Sequence, residues 1–198
     1  MYKNIEKQIF NYLSENLSPK KLEHSYNVAL LAADLASKHS SDNTLKARTA
    51  GLLHDCAKFM TDKELIDFFK KRNKTLKYFK DIAKFSPHLL HSFAGGNVAK
   101  EKFKIKDKDI LNAIKNHTLG RENMDVLEKI IFVADYVSRD RKWKYAKRIR
   151  ILAENDLNKA FFEVLTKKME YVTNNSMWMC PQIVNTWNWY VSNDKKDN

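Results

Sequence analysis

The length and composition of this chain favour one folded, helical domain. Its 198 residues are enough to bury a sizeable core, and a hydrophobic content of 43% argues against wholesale disorder. Only 4 Gly and 3 Pro disfavour a turn-rich β protein, and two cysteines cannot form a disulfide framework, so we expect helices and a cytoplasmic location.

The first half of the chain predicts four helices. An apolar face runs along residues 3–16, and Ser18-Pro19 supplies a cap and a first-turn proline for a second helix to about Lys38. A third helix is predicted over about 44–57, and a capping box at Thr61-Asp62-Lys63-Glu64 opens a fourth that ends at Phe69. The second helix carries one inward stripe of His24, Val28, Leu31 and Leu35.

The second half repeats these signals. Ser86-Pro87 predicts a helix start, with His91 on its inward face, and Gly120 closes a helix lined by Ile110, Ile114 and His117. Asp135 ends the inward stripe of the next helix, and a long helix is predicted from about Tyr145 to Val172. A turn and a short helix are expected over 177–190. We therefore predict an all-α fold with one domain over 1–198, a core at about 15–192 and a polar tail from about 193.

The net charge of +12 suits a polyanionic partner. Seven of the twelve residues from Arg139 to Arg150 are basic, and such a surface concentrates nucleic acid, anionic lipid or nucleotide phosphates alike. Charge alone does not identify the partner. The uncharged stretch 171–193 is too rich in Asn, Ser, Thr and Gln to span a bilayer, so we expect no membrane partner.

Histidines and aspartates stand on or beside these inward stripes, and they are the ligand types that divalent metals prefer. A lone core histidine is more often a residue with one satisfied hydrogen bond than a ligand, so the joint occurrence carries the hypothesis. Asp55 could bridge two ions, with His24, His54 and Asp135 on one and His91 and His117 on the other. The predicted metal ligands are His24, His54, Asp55, His91, His117 and Asp135.

Five ordered blocks of the sequence resemble one known family. They are His24, Ala50-Gly51-Leu52-Leu53-His54-Asp55-Cys56-Ala57-Lys58, Leu89-Leu90-His91, Ala113 to Gly120, and Lys129 to Tyr136. This series is similar to the HD-domain metal-dependent phosphohydrolases, and more closely to the YqeK-like branch of bacterial symmetrical diadenosine-tetraphosphate hydrolases. The resemblance spans about residues 15–192.

The resemblance implies an HD-domain helical bundle and a metal-dependent enzyme that cleaves diadenosine tetraphosphate to two ADP through a metal-bound hydroxide. It implies one or two ions of iron, with manganese or another divalent metal as the alternative. Asp55 and Lys58 are the predicted catalytic residues. The predicted substrate contacts are Lys21, Lys58, His91, Thr118, Arg141, Asn185 and Asn188. The chain departs from the family pattern at Ser138, where an acid is expected, and at Cys180 and Trp187.

Two alternatives stay open at this point. The same metal set could serve another HD nucleotide phosphohydrolase, such as a nucleotidase or a guanosine-polyphosphate hydrolase. The chain could instead be a basic helical nucleic-acid-binding module with a vestigial metal site, but the intact six-residue set argues against this. We therefore expect a nucleotide polyphosphate substrate and no nucleic acid partner, and we leave a homodimer open. The C-terminal aromatic segment would either stack on adenine or pack in the core.

Overall fold

The computed structural model describes residues 2–72 and 76–194, and over these ranges the chain forms α-helices and no strand. The prediction of an all-α fold is confirmed. The helices are α1 (Tyr2–Asn16), α2 (Pro19–His39), α3 (Thr44–Leu53), α4 (Asp62–Lys71), α5 (Phe79–Phe85), α6 (Leu90–Lys102), α7 (Lys108–Asn116), α8 (Val126–Val137), α9 (Ala146–Asn155), α10 (Leu157–Asn174) and α11 (Pro181–Asp194). Short 3-10 helices at Ser41–Asn43 and Pro87–Leu89 precede α3 and α6.

Helices α2, α3, α7 and α8 form the centre of the molecule. Helix α2 packs on α3 and α8, and α7 packs on α3, α6 and α8. Gly51 lets α3 approach α2 closely, because a Cβ at this position would lie 2.7 Å from the Cα of Ala29. The buried apolar residues from Ile9 to Ile183 belong to one cluster. The single domain itself stays a prediction.

Several local predictions agree with the structure. The capping box is present, since the Glu64 backbone N–H donates to Thr61 Oγ1 at 3.3 Å and the Thr61 N–H donates to Glu64 Oε2 at 2.8 Å. Gly120 closes the chain reversal after α7 with a left-handed φ of 68°, and its N–H donates to the carbonyl of Asn116 at 2.8 Å. Among the described residues, no helix is both long and apolar enough to cross a bilayer.

Three helix boundaries were predicted wrongly. Helix α3 stops at Leu53, and tight turns follow, in which the Cys56 N–H bonds to the Leu53 carbonyl at 3.1 Å. The long helix predicted from Tyr145 to Val172 is broken at Asp156, because this residue is extended and its side chain caps α10 through the Lys159 N–H. Ser86-Pro87 opens a 3-10 helix, and α6 begins only at Leu90.

One helix of the structure was missing from the prediction. Helix α5 was not predicted, since its seven residues are too few to show a clear periodicity. The end of the predicted polar tail, from Lys195 onwards, lies outside the described residues.

Candidate metal centre

The fold brings the six predicted metal ligands together from five places in the chain. His24 lies on α2 and His91 on α6, while His54 and Asp55 follow the end of α3. His117 is the residue after α7, and Asp135 lies in the last turn of α8. The four histidines and Asp55 are buried, with at most 7% of each residue exposed. We call these six residues the metal cluster: His24, His54, Asp55, His91, His117 and Asp135.

Asp55 stands between the two halves of the metal cluster. Its Oδ2 lies 3.3 Å from His54 Nε2, and its Oδ1 lies 3.2 Å from His91 Nε2 and 3.6 Å from His117 Nε2. The geometry defines two groups of ligand atoms, each within 4.8 Å of one another, and Asp55 belongs to both groups. Each oxygen of one carboxylate therefore faces a different group, as a bridging ligand requires.

Asp135 joins the first of these groups. Its Oδ1 lies 3.0 Å from His24 Nε2 and 3.8 Å from His54 Nε2. The guanidinium of Arg141 contacts the same atoms, with Nη2 at 3.4 Å from Asp135 Oδ1 and 3.3 Å from His24 Nε2. A cationic side chain thus contacts the ligand atoms of this group.

All four histidines of the metal cluster are held by the ring nitrogen that faces away from it. Nδ1 donates to a backbone carbonyl in three of them: His54 to Gly51 at 2.7 Å, His91 to His88 at 2.6 Å and His117 to Ile114 at 2.8 Å. Nδ1 of His24 bonds to a carboxylate oxygen of Asp140 at 2.8 Å. Because these acceptors hold a proton on Nδ1, the Nε2 atom of each ring is the one that faces the cluster and can offer a lone pair to a metal.

Two atoms of the metal cluster are buried without a hydrogen-bond partner. They are His54 Nε2 and Asp55 Oδ1, one from each side of the bridging position. A buried polar atom left unpaired costs free energy, and a cation in each group would provide the missing partner for the atom that belongs to it. The donor set of imidazole nitrogens and carboxylate oxygens fits a divalent transition metal.

The titrating groups of the metal cluster are strongly coupled. Burial raises the pKa of Asp55, but the charges of His54 and Lys58 outweigh it and hold this pKa well below its usual range. Burial likewise opposes ionisation of Asp135, whereas His24 and Lys168 bring its pKa well below its usual range. Burial lowers the pKa of His117 to about 4. The aspartates are therefore ionised and His117 is neutral at neutral pH, the states in which they ligate a metal.

The contacts of Asp140 and Lys168 with the metal cluster were not predicted. Asp140 holds His24, and it lies outside the helical stripe that revealed Asp135. Lys168 on α10 has its Nζ 3.8 Å from Asp135 Oδ2, and burial lowers its pKa to about 8. The helical spacing of Phe161, Val164 and Lys168 places the lysine on the inward face of α10, and this signal could have revealed it.

Two cavities open beside the metal cluster and meet at His88, Leu89, Thr118 and Asp135. The smaller one, of about 250 Å³, includes Lys58 and is called here the polar cavity. The larger one, of about 480 Å³, is lined by apolar side chains such as Leu119 and Ile183 and is called the apolar cavity. Arg141, Trp143, Lys168 and Trp178 also line the apolar cavity.

Some of the predicted substrate contacts line the two cavities and others lie outside them. Lys58, His91 and Thr118 line the polar cavity, and Lys58 Nζ donates to Asp55 Oδ2 at 2.8 Å. Lys21 does not line the polar cavity but contacts a residue that does, since its Nζ donates to the Lys58 carbonyl at 2.9 Å. The structure does not bring Asn185 and Asn188 to either cavity: Asn185 donates to Tyr78 Oη at 3.1 Å, and Asn188 is exposed.

The tryptophans of the C-terminal segment also differ in their distance from the metal cluster, since only some of them line a cavity beside it. Trp178 lines the apolar cavity, stacked on Phe85 with ring centroids 5.5 Å apart. Trp187 stacks on Phe162 at 4.7 Å, and Trp189 borders a different groove. Of the three tryptophans in this segment, only Trp178 is placed beside the metal cluster.

The fold and the site define an all-helical protein with a buried histidine and aspartate cluster for a divalent metal. The HD domain family matches residues 22–140, and the chain belongs to this family. The predicted family and its helical bundle are confirmed.

Similar proteins are related over nearly the whole chain. A symmetrical bis(5'-nucleosyl)-tetraphosphatase from Halalkalibacterium halodurans is 32% identical over 87% of this chain and 90% of its own. A Bacillus subtilis protein of the same name is 32% identical over 91% of this chain and 94% of its own. An HD superfamily hydrolase from Clostridium acetobutylicum, described as involved in NAD metabolism, has a crystal structure that matches with a TM-score of 0.87. It is 35% identical, over 94% of this chain and 97% of that one.

Proposed function

We propose that this protein is a metal-dependent hydrolase that cleaves diadenosine tetraphosphate symmetrically into two ADP molecules. The observation that carries the proposal is the convergence of the Nε2 atoms of His54, His91 and His117 on the two oxygens of Asp55 and of His24 Nε2 on Asp135, with every Nδ1 atom bonded to an acceptor behind it. The curated relatives named as symmetrical tetraphosphatases support the choice of substrate.

The six residues of the metal cluster are the proposed ligands of one or two divalent ions. In this scheme His24, His54 and Asp135 would hold one ion, His91 and His117 would hold the other, and Asp55 would contribute to both. Iron is the expected metal, with manganese or another divalent metal as the alternative. When bound, such ions lower the pKa of a water ligand and polarise phosphoryl oxygens.

The surrounding cations are proposed to hold the polyphosphate. Lys58 and Arg141 lie on either side of the metal cluster, and neither is fully buried, with 39% and 31% of the side chain exposed. Burial lowers the pKa of Lys58, but the carboxylates of Asp55 and Asp135 more than offset this and raise it above its usual value. Lys58 therefore stays charged and can stabilise negative charge on phosphate oxygens.

The nucleoside is proposed to occupy the apolar cavity. This cavity adjoins the metal cluster through Thr118 and Asp135, so a base placed there would lead its phosphates toward the metal. Trp143 is a candidate for stacking on the base, because its indole is half exposed and its Nε1 donates to the Tyr136 carbonyl at 2.9 Å. Trp178 is the second candidate.

The proposal includes a cytoplasmic location and leaves the oligomeric state to be tested. Both cysteines are free and buried, which agrees with a reducing cytoplasm. A homodimer stays a prediction, which light scattering of the purified protein would test.

The decisive experiment is product analysis with metal-loaded protein. Diadenosine tetraphosphate should give ADP alone, and ATP plus AMP would contradict symmetrical cleavage. A panel of mononucleotides and guanosine polyphosphates run alongside tests the other HD activities, while salt-dependent RNA or DNA binding without turnover would favour the nucleic-acid module.

A matched pair of variants tests the metal cluster. Asp55→Ala removes the bridging carboxylate and should lower turnover by roughly 1000-fold or more, because metal activation contributes several kcal/mol. Asp81→Ala removes an exposed carboxylate on α5 and should leave turnover unchanged. Full activity of Asp55→Ala with unchanged metal content would refute the mechanism.

A further inference from the structure

Lys168 places a positive charge inside the site without being a metal ligand. Only 15% of its side chain is exposed, and its ammonium lies 4.0 Å from the centre of the Phe132 ring. Its Nζ donates to the backbone carbonyls of His117 at 2.8 Å and of Thr118 at 3.4 Å. Lys168 thereby fastens α10 to the end of α7, beside the metal cluster.

Support of the backbone does not account for a lysine at this position. An ammonium has three donors, and two of them are used by these carbonyls. Asp135 Oδ2 lies 3.8 Å away, where it pairs with the charge of Lys168 but is beyond hydrogen-bond distance. Within the described ranges the third donor has no acceptor at hydrogen-bond distance, and an unsatisfied donor in a largely buried position is costly.

A second donor next to Lys168 also lacks a partner. Thr118 Oγ1 is buried and has no hydrogen-bond partner within the described part of the chain. Thr118 lines both cavities, and Lys168 lines the apolar one together with Arg141. The unpaired hydroxyl thus lies where the two cavities join, and the ammonium and the guanidinium line the apolar cavity that leads there. An anionic group with several acceptor oxygens could accept hydrogen bonds from these donors.

We infer that Lys168, with the hydroxyl of Thr118, binds the phosphate chain of the nucleotide where it passes from the apolar cavity to the metal cluster. This inference rests on the proposed function, since it assumes a nucleotide in these cavities. It makes Lys168 a phosphate-binding residue that recognises the charged chain and not the base.

The test compares nucleotide and nucleoside binding in two variants of adjacent lysines. Lys168→Gln keeps two N–H donors but removes the charge, and Lys167→Gln is the matched control. Lys167 is the preceding residue, and its ammonium pairs with Glu170 Oε2 at 2.8 Å on another face of α10. ADP and adenosine are titrated into each metal-loaded protein by calorimetry, and the metal content of each is measured.

We expect Lys168→Gln to bind ADP about 10- to 100-fold more weakly, the size of a charged hydrogen bond, and to bind adenosine as the parent protein does. Its KM for diadenosine tetraphosphate should rise more than its kcat falls. Lys168→Arg should recover part of the ADP affinity, and Lys167→Gln should match the parent protein throughout.

The outcomes separate this inference from the proposed function. If the parent protein cleaves the substrate but Lys168→Gln binds ADP normally, the inference is wrong and the proposed function stands. Equal weakening of ADP and adenosine, or loss of metal from Lys168→Gln, would reveal a structural role and also overturn the inference. A parent protein that neither binds ADP nor cleaves the substrate would overturn the proposed function itself.

Discussion

Glu128 is a buried carboxylate that ties the segment after His117 to α8, and its replacement by alanine gives a stability prediction. Its oxygens accept hydrogen bonds from Asn116 Nδ2 at 2.7 Å, from the Asp125 backbone N–H at 2.9 Å and from Arg121 Nε at 2.8 Å, with a further contact to Arg121 Nη2. Glu128 is fully buried, whereas 35% of the Arg121 side chain is exposed. Glu128→Ala would therefore leave Asn116 unpaired in the interior while Arg121 turns to water.

The expected loss follows from these differences in burial. Breaking a buried ion pair costs about 3–5 kcal/mol when the remaining charge stays buried. Because Arg121 can reach solvent, we expect the free energy of unfolding to fall by about 2–4 kcal/mol, most of it from the orphaned amide and the lost helix cap. In a domain of this size each kcal/mol lowers Tm by about 2–4 °C, so a loss of about 3 kcal/mol lowers it by about 6–12 °C.

Thermal and urea unfolding in the presence of a chelator measure this loss, since bound metal would add its own stabilisation. Glu122→Ala is the control, because Glu122 is exposed in the same segment and its loss should change the free energy by less than about 0.5 kcal/mol. The reasoning is refuted if both variants unfold within about 2 °C of the parent protein, a shift of under 1 kcal/mol.

Three further predictions concern the site and the thiols. Asp140→Ala should weaken metal binding by about 10- to 100-fold, because His24 loses the acceptor that orients it, and metal titration will show this; unchanged affinity would contradict the role of Asp140. His117→Ala should lower the metal content by about one ion with the helical content intact, as measured by elemental analysis and circular dichroism. Burial raises the pKa of both the Cys56 and the Cys180 thiols, so neither should react with a thiol reagent at pH 8 until the protein is unfolded; rapid labelling of the native protein would disprove this.

The sequence was sufficient to select the residues of the metal cluster. His24 stands in register with the apolar stripe of α2, and His117, the residue after α7, continues the spacing of Ile110 and Ile114, so burial of these stripes buries the histidines with them. Asp135 ends the apolar run Ile130-Ile131-Phe132-Val133-Ala134, where an unpaired carboxylate would be costly. Periodicity therefore fixed which side chains point inward, and the chemistry of the inward polar residues pointed to a metal.

Other features depend on contacts that periodicity does not encode. The turn that carries Asp55 interrupts a stretch with helical character, and only packing between helices decides where α3 stops. The break at Asp156 arises because this side chain caps α10, which competes with continuing the helix. The contacts of Lys168 with the end of α7 join residues about fifty positions apart, so no local pattern could reveal its acceptors.

The hydrogen bond between His24 and Asp140 compensates for the serine at position 138, where the family pattern has an acid. Ser138 stands where the resemblance leads us to expect an acid, and its hydroxyl lies 3.4 Å from His24 Nδ1. The chain turns after α8, with the Arg141 N–H bonded to the Ser138 carbonyl at 2.9 Å, so residues 138 and 140 face the same imidazole ring. The carboxylate of Asp140 takes the position nearest to Nδ1, at 2.8 Å. An acid two residues later thus keeps the proton on Nδ1 and the Nε2 lone pair toward the metal cluster, and the substitution at 138 changes the source of the acceptor but not its chemistry.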